Sequence, residues 1–245
     1  TGKKEVLRFA IAPGTKQRSL RYHKMYLATA GPAFPRPTVV MEFNTVAGTP
    51  VEGGVSFAQT FTKFYGKERE KSAIPASMAT ETLSTFAGLT LAALLTPEGF
   101  LRGVKVTYPE DIPDEALPTA QGLLRSIEKV LPQLPSTPIG VGAKWQIVQV
   151  FAQDGVEVKM VSDMHLVAKR GSKLTIKGTS TMHAPPQTLE RDGERVYVRG
   201  VNGDGVIKVE MDLQKPMPSV EQTVNMDIDL VITFRSKMQL VLTSD

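Results

Sequence analysis

The feature that most constrains this chain is a long alternation of apolar and polar residues near its C-terminus. Every even-numbered position from Val224 to Leu242 is apolar except Ser236, whereas the odd positions are mostly polar. A period of two is typical of a β-strand with one buried face. Because no Gly, Pro, Asn or Asp lies between Val231 and Thr243, the pattern predicts one continuous strand that bends near Ser236. At about 3.3 Å per residue the strand would run roughly 60 Å, so its sheet must curve.

The pattern of apolar and turn residues in the preceding hundred or so positions predicts further strands. The same even-numbered apolar phase runs from Val156 to Ala168, and a turn at Arg170–Ser172 leads into a strand from Lys173 to His183. Shorter apolar runs lie at 145–151, 196–201 and 206–213, and the turn sequences are Asp154-Gly155, Asp192-Gly193 and Asn202-Gly203-Asp204-Gly205. Residues 141–245 are therefore expected to form an antiparallel meander.

The first half of the chain is less regular but also predicts mainly strands. The strand-like runs are Val6–Ile11, Leu20–Thr29, Val39–Val46 and Val55–Tyr65, followed by a hairpin of Leu89–Leu95 and Leu101–Tyr108. A short helix over Pro75–Phe86 is expected to end at Gly88.

The strongest helix pattern lies between the halves, from Asp114 to Leu134. Apolar residues recur there at spacings of three and four and include Leu124 and Ile127, while the other positions are polar. Pro118 is tolerated in the first turn, and Pro132 closes the helix. A helix with such a stripe needs an apolar surface to cover, and the concave side of a curved sheet provides one.

Together these patterns predict an α+β fold. It is a long curved antiparallel sheet, or two related sheets, shaped like a half-barrel, with one main amphipathic helix packed on the concave side. A hydrophobic fraction of 41% and a charged fraction of 22% are ordinary for a chain with a proper core. Residues 1–245 are expected to form a single β-rich domain; the alternative is two halves, 1–112 and 139–245, joined by the helix 114–134.

Composition and charge exclude several classes of function. The net charge of +4 is modest and its Lys and Arg alternate with acidic residues, which argues against nucleic-acid binding. The chain has no cysteine, so disulfides, thiolate metal sites and cysteine nucleophiles are excluded. No apolar run is long enough to span a bilayer. Because the chain opens at Thr1 without an initiator Met or a signal pattern, we expect a mature or trimmed chain whose export signal has gone.

The three histidines are the best candidates for base or metal chemistry. His165 lies two residues after Asp163 on the polar side of its strand, so the two side chains are expected to point the same way. The pair would orient an imidazole for a hydrolase or hold part of a metal site; the alternative is an exposed polar face, since a metal needs three or four ligands. His23 lies near Arg21, and His183 ends a strand, without partners in sequence. We therefore predict no catalytic residue, no metal site and no cofactor.

A set of apolar side chains forms the candidate ligand-binding site. Three aromatic residues spaced by four share one phase of their predicted strand, and Met side chains supply an adaptable apolar surface. The candidates are Phe57, Phe61, Tyr65, Met160, Met164, Leu124 and Ile127. The alternative is that the aromatic stripe and the Met residues belong to an ordinary core.

Two segments carry a resemblance to a known class of proteins. Leu83–Tyr108 contains a short helix ending in Gly88 and a hairpin with Glu98-Gly99 at its tip, and Leu134–Trp145 leads through Pro138-Ile139-Gly140-Val141-Gly142 into a β-meander. This arrangement resembles largely uncharacterised bacterial cell-envelope domains that are often lipoproteins. The resemblance implies a curved sheet plugged by a helix, distantly like the lipoprotein carriers that bind acyl chains. The cysteine that anchors a lipoprotein is missing here.

These observations lead to three hypotheses of function. The first is a non-enzymatic envelope protein, periplasmic, outer-membrane-associated or secreted from a bacterium, that binds a lipid or another hydrophobic ligand on the concave face. The second is a structural or interaction module that docks a protein partner in an envelope assembly. The third is a hydrolase that uses Asp163 and His165.

Overall fold

The computed structural model describes residues 3–29, 34–72, 74–127, 132–153, 155–191, 194–230 and 234–244. The described part of the chain is mostly β, with 60% strand. The strands are β1 Lys16–Thr29, β2 Phe34–Pro35, β3 Thr38–Val51, β4 Gly54–Lys67, β5 Thr90–Leu95, β6 Leu101–Thr107, β7 Lys144–Gln153, β8 Val156–Arg170, β9 Lys173–Ala184, β10 Gln187–Arg191, β11 Glu194–Asp212, β12 Ser219–Leu230 and β13 Phe234–Ser244. The helices are α1 Ala76–Ser84 and α2 Leu117–Ile127.

The described strands form one antiparallel sheet that curls into a half-barrel, as predicted. Its order is β6-β5-β4-β3-β1-β13-β12-β11-β9-β8-β7, with β2 paired to β1 and β10 paired to β11. Consecutive strands are mostly neighbours, as in a meander. The pairing of β1 with β13 connects the N-terminal strands to the C-terminal ones.

The prediction of one continuous strand over residues 224–242 is wrong. This stretch contains β12 and β13, which are antiparallel neighbours with Val224 opposite Met238 and Ile228 opposite Phe234. Even-numbered residues pair with even-numbered residues across the reversal, so both strands keep the same apolar phase. Alternation alone therefore does not distinguish this hairpin from one long strand. The bridging residues 231–233 lie outside the described residues.

The predicted turn around Gly203 and Gly205 is also wrong, because β11 runs unbroken from Glu194 to Asp212. The two glycines serve close packing in the sheet instead. A Cβ atom at Gly203 would lie 2.7 Å from the carbonyl oxygen of Asn225, and one at Gly205 would lie 2.8 Å from that of Thr223. Glycines of this kind mark positions where a strongly bent sheet brings backbones together.

The predicted strand Val6–Ile11 is an extended segment that lies outside the sheet. Leu7, Phe9 and Ile11 are buried, whereas the residues between them are partly or fully exposed. Alternating burial matches the sequence pattern, but the segment has no strand partner apart from a single bridge between Glu5 and Ile139 in the described chain. We call residues 5–11 the strap.

The strap connects distant parts of the sheet. The amide of Phe9 donates to the carbonyl of Pro97 in the β5–β6 loop, and the amide of Ala10 donates to that of Leu213 at the end of β11. Arg8 pairs with Glu98 at 3.2 Å. The strap is thus held between the two arms of the half-barrel.

The hairpin of β5 and β6 and the short helix α1, with Gly88 beyond its end at a φ of 92°, agree with prediction. The main amphipathic helix over 114–134 is not supported. Residues Asp114–Ala116 form a 3-10 turn, α2 covers only Leu117–Ile127, and residues 132–134 are not helical. Pro132 lacks the amide hydrogen that a longer helix would use.

Two apolar cores lie along the half-barrel. The main core joins the strap, buried residues of both helices, β3–β5 and parts of β7–β9, β11 and β12. The second core is smaller and consists of Val156, Val158, Met160, Met182, Ala184, Val198, Val201, Val224 and Met226. Long strands such as β8 and β9 therefore pass from one core into the other.

Candidate functional site

The inner face of β1 carries buried polar residues. Gln17, Ser19 and Arg21 are at most 4% exposed, and Arg21 lies opposite Met41 of the main core. The neighbouring side chain of Arg18 is 64% exposed and points to the other face. Because buried polar groups are costly unless they have hydrogen-bond partners, each of these residues needs an explanation.

Gln17 has a structural explanation. Its amide nitrogen donates to the carbonyl of Met217 at 3.0 Å, and its amide oxygen accepts from the amide of Met217 at 2.9 Å. Both ends of the side chain are therefore used to fix the loop between β11 and β12.

Arg21 and His23 share the inner face and differ in charge. Burial lowers the pKa of Arg21 to about 10, so its guanidinium stays positive at neutral pH. Burial, and then the positive charge of Arg21, lower the pKa of His23 to about 4, so the imidazole is neutral. The Nε2 atom of His23 is buried and has no hydrogen-bond partner in the described part of the chain.

A belt of polar and small residues separates the two cores on the inner face. Ser162 lies between Met164 of the main core and Met160 of the second core along β8. Gln222 separates Val220 from Val224 in the same way along β12. We define the inner belt as His23, Gln222, Ser180 and Ser162.

The strand register places the inner belt in two adjacent rows across the sheet. One row connects His23 through β13 to Gln222, and then through Ile207 to Gly178. The next row contains Ser180 opposite Ser162. The Oγ atom of Ser180 is buried and, within the described residues, has no hydrogen-bond partner.

This arrangement is suited to binding the polar end of an amphiphilic molecule. Arg21 supplies a positive charge beside the inner belt, and His23 of the same strand offers a hydrogen-bonding atom in an apolar surrounding. A carboxylate or phosphate forms its strongest hydrogen bonds with such groups where water is excluded. An ordered water molecule would satisfy the same neutral atom.

Known proteins give no independent guide to this site. No protein-family model and no curated protein matches the chain.

Two of the predicted aromatic ligand residues lie in the main core. Phe57 is 6% exposed and Phe61 is 1% exposed. The ring of Phe61 stacks on that of Phe64 at 5.1 Å and meets that of Phe43 in a tilted arrangement at 5.3 Å, both measured between ring centroids. These contacts are those of a closely packed core.

The third predicted aromatic residue, Tyr65, lies on the opposite face of β4. The register shifts by one residue at Glu42 and Phe43, so that Phe64 points inward and Tyr65 outward. Burial and then the charge of Glu42 raise the pKa of Tyr65, whose hydroxyl bonds to that carboxylate. Because the β-bulge adds one residue to β4, residues spaced by four on either side of the bulge do not lie on the same face of the strand.

The predicted helix residues lie close to Phe61. Leu124 and Ala120 of α2 face Phe61 and Phe64 across an apolar gap that has no room for a water molecule. The side chain of Ile127 is outside the described residues. This part of the interior is closed.

The two predicted methionines flank the inner belt. Met164 belongs to the main core and Met160 to the second core, with Ser162 between them on β8. Of the seven residues predicted from sequence, the structure thus places these two next to the belt, while Phe61 and Leu124 meet elsewhere.

Asp163 and His165 lie on the other face of β8, in an open depression of about 650 Å³. The amide nitrogen of Gln146 donates to Asp163 at 3.1 Å. His165 lies between Lys144 and Lys177 in the register of β7, β8 and β9.

Neither metal clusters nor membrane-crossing helices are found in the described ranges. No three His, Asp or Glu side chains come together there as a metal site. No described helix has the length and apolar character needed to cross a membrane.

Sequence reasoning missed the role of Arg21 and His23. The apolar residues of β1, Leu20 and Tyr22, lie on the outer side, and the polar phase lies inside. A strand pattern identifies two faces but normally assigns the apolar one to the interior. Nothing in this stretch signals that the assignment is reversed.

Proposed function

We propose that this protein is a non-enzymatic binding protein for an acidic, lipid-like ligand. The apolar part of the ligand would lie along the concave face, and its acidic group would lie at the inner belt beside Arg21. The observation that carries the proposal is the polar belt between two apolar cores, in which the His23 Nε2 atom is buried and lacks a hydrogen-bond partner among the described residues.

Charge favours an acidic head group over a neutral or basic one. Arg21 keeps its positive charge inside the half-barrel. In a medium of low dielectric constant this charge attracts a carboxylate or phosphate far more strongly than in water. A fatty amine of the same chain length would be repelled.

The methionines around the belt supply an adaptable apolar wall. Met160, Met164, Met182 and Met226 are buried on the inner faces of β8, β9 and β12. Met side chains change rotamer at low cost and adjust to ligands of different shape. An acyl chain would therefore enter by displacing Met side chains, since the gap around Leu124 is closed.

The first test is whether a ligand is present and stabilising. We expect mass spectrometry of organic extracts of the purified protein to detect a co-purifying acidic lipid. A fatty acid at about 100 times its Kd should add about 2.7 kcal/mol to the free energy of unfolding, or roughly 5–10 °C in Tm. An alkyl alcohol and an alkyl amine of equal length are the controls. Clean extracts together with an unchanged Tm would refute the proposal.

The second test addresses Arg21. We expect Arg21→Gln to remove the preference for the fatty acid over the matched alcohol, and Arg21→Lys to retain it. Arg102→Gln on the exposed side of β6 is the matched control and should change nothing. Folding of each variant is checked by circular dichroism. An equal preference for the fatty acid over the alcohol in all four proteins would show that Arg21 does not distinguish between these head groups.

The bacterial cell envelope is part of the proposal and is supported only by the resemblance of Leu83–Tyr108 and Leu134–Trp145 to envelope domains. Cell fractionation of the source organism tests it. The hydrolase hypothesis has weaker support, because the Asp163 carboxylate accepts a hydrogen bond from Gln146 and the pair lies in an open depression.

A further inference from the structure

The strand order of the described sheet ends at β6 on one side and at β7 on the other, and β7 is the more open of these two edges. It runs for 10 residues without Gly or Pro, and its single charged residue, Lys144, is at the start. Val148 and Val150 on its outer side are 52% and 60% exposed. A long, uncharged edge with exposed valines is the kind of strand that pairs with another strand.

The other edge, β6, carries the usual protections. Arg102 and Lys105 are exposed along its seven residues, and Gly103 has a φ of 60°. The register between β5 and β6 also shifts at Ala92 and Leu94. Charges and bulges of this kind block strand addition. Of the edges β6 and β7, only β7 therefore lacks the features that block pairing with another strand.

We propose that β7 pairs with β7 of a second copy of this chain, antiparallel, about a two-fold axis at Gln149. A second copy of this chain is the proposed partner because β7 is complementary to itself. The strand has no charge in its central residues that would repel an identical strand, and a two-fold axis presents the same edge to itself. The sheet would continue from one half-barrel into the other.

The register follows from the two faces of the strand. Residues opposite each other in an antiparallel pair point to the same side. Centring on Gln149 places Val148 opposite Val150 of the second copy on the outer side, and Ile147 opposite Phe151 of the second copy on the inner side. Centring on Val148 would place Ile147 opposite Gln149 of the second copy. Centring on Val150 would place Val148 opposite Ala152 and Ile147 opposite Gln153. Both alternatives give fewer apolar pairs.

The contact is small, so the dimer should be weak and depend on concentration. A single strand pair buries less than the roughly 1,200 Å² at the lower end of stable interfaces. The proposal is independent of ligand binding at the inner belt, because β7 reaches that belt only through β8. Failure of either proposal leaves the other intact.

The first experiment is analytical ultracentrifugation from micromolar to millimolar concentration. We expect a monomer–dimer equilibrium that Val150→Lys shifts to monomer, because the lysine would face Val148 of the second copy. Val206→Lys is the matched control: Val206 is 58% exposed on the same face but lies on the central strand β11. It should leave the equilibrium unchanged.

The second experiment uses the absence of cysteine from the chain. In the proposed register Gln149 faces itself across the axis, at a Cα separation of about 4.5–5.5 Å that suits a disulfide. Gln149→Cys should therefore form a covalent dimer rapidly under mild oxidation. Ala152→Cys on the same edge would lie roughly 20 Å from its copy and should not.

The outcomes separate the proposal from its alternatives. A monomer at every concentration overturns it, as does equal cross-linking of Gln149→Cys and Ala152→Cys. Dimerisation that Val150→Lys leaves intact would place the interface elsewhere. A monomer whose β7 binds an apolar strand peptide would assign this edge to another protein and likewise overturn the proposal.

Discussion

At the scale of single residues, His23 gives the clearest link between burial and a measurable quantity. Its pKa is about 4 in the folded protein, against about 6.5 for an unfolded chain. Between these values the unfolded chain binds a proton that the folded protein does not. The free energy of unfolding therefore decreases as pH falls from about 6.5 to 4, by up to roughly 3 kcal/mol.

As pH falls over this range, we expect the free energy of unfolding of His23→Gln to decrease less than that of the parent protein. The measurement is urea unfolding at about pH 7 and pH 4.5 for both proteins. His183→Gln is the control: His183 is exposed beside Asn202, and its removal should leave the pH dependence of the parent unchanged. Parallel losses in the parent and His23→Gln would contradict the assignment of this proton to His23.

Residue-level prediction from sequence succeeded for some buried side chains and failed where local geometry intervened. Met164 and Leu124 are buried, as their periodic patterns indicate. Tyr65 left its expected face because a bulge adds one residue to the count, and alternation carries no record of a bulge. Arg21 was missed because a buried charge on a strand looks the same in sequence as an exposed one.

At the scale of elements, the strap shows how conformation and pairing differ. The alternation in Val6–Ile11 correctly indicated one buried side, but the predicted strand pairing is not found for this segment among the described residues. The helix was predicted too long, because the apolar stripe continues past Ile127 in sequence while Pro132 stops helical hydrogen bonding. β8 and β9 were predicted well since clear turn residues bound them.

The strap should contribute strongly to stability through Phe9. This side chain is 7% exposed and lies in the main core. We expect Phe9→Ala to lower the free energy of unfolding by about 3–5 kcal/mol, as for other large core truncations. Phe100→Ala, at a residue that is 40% exposed, should cost less than about 1 kcal/mol. Similar costs in urea unfolding would mean that the strap is not an integral part of the core.

At the scale of the whole molecule, a single sheet carries both apolar cores, and the inner belt separates one core from the other. Sequence indicated a curved antiparallel sheet because its strands are long and amphipathic. It did not indicate the strand order, since the β1–β13 pairing joins residues more than two hundred positions apart. It also did not reveal the inner belt, because only the register of the folded sheet places residues of β1, β8, β9 and β12 in adjacent rows.

This division predicts unequal protection along single strands. In the described residues the main core has 30 buried apolar members and the second core has nine. The second core also lacks buried residues from the helices and the strap, so it should open locally at a lower free-energy cost. Amides at residues 156–160 of β8 should therefore exchange with deuterium faster than those at 164–166, where the same strand crosses the main core.

Hydrogen exchange measured by mass spectrometry on short overlapping peptides tests this expectation. The unfolded chain supplies the intrinsic rates, and β9 provides a second comparison, residues 182–184 against 174–176. Uniform protection along β8 and β9 would show that the inner belt does not divide the cooperative unit. Faster exchange at the second core, slowed by a fatty acid, would indicate that this end opens to admit ligand to the belt, because a ligand that binds only the folded state suppresses such opening.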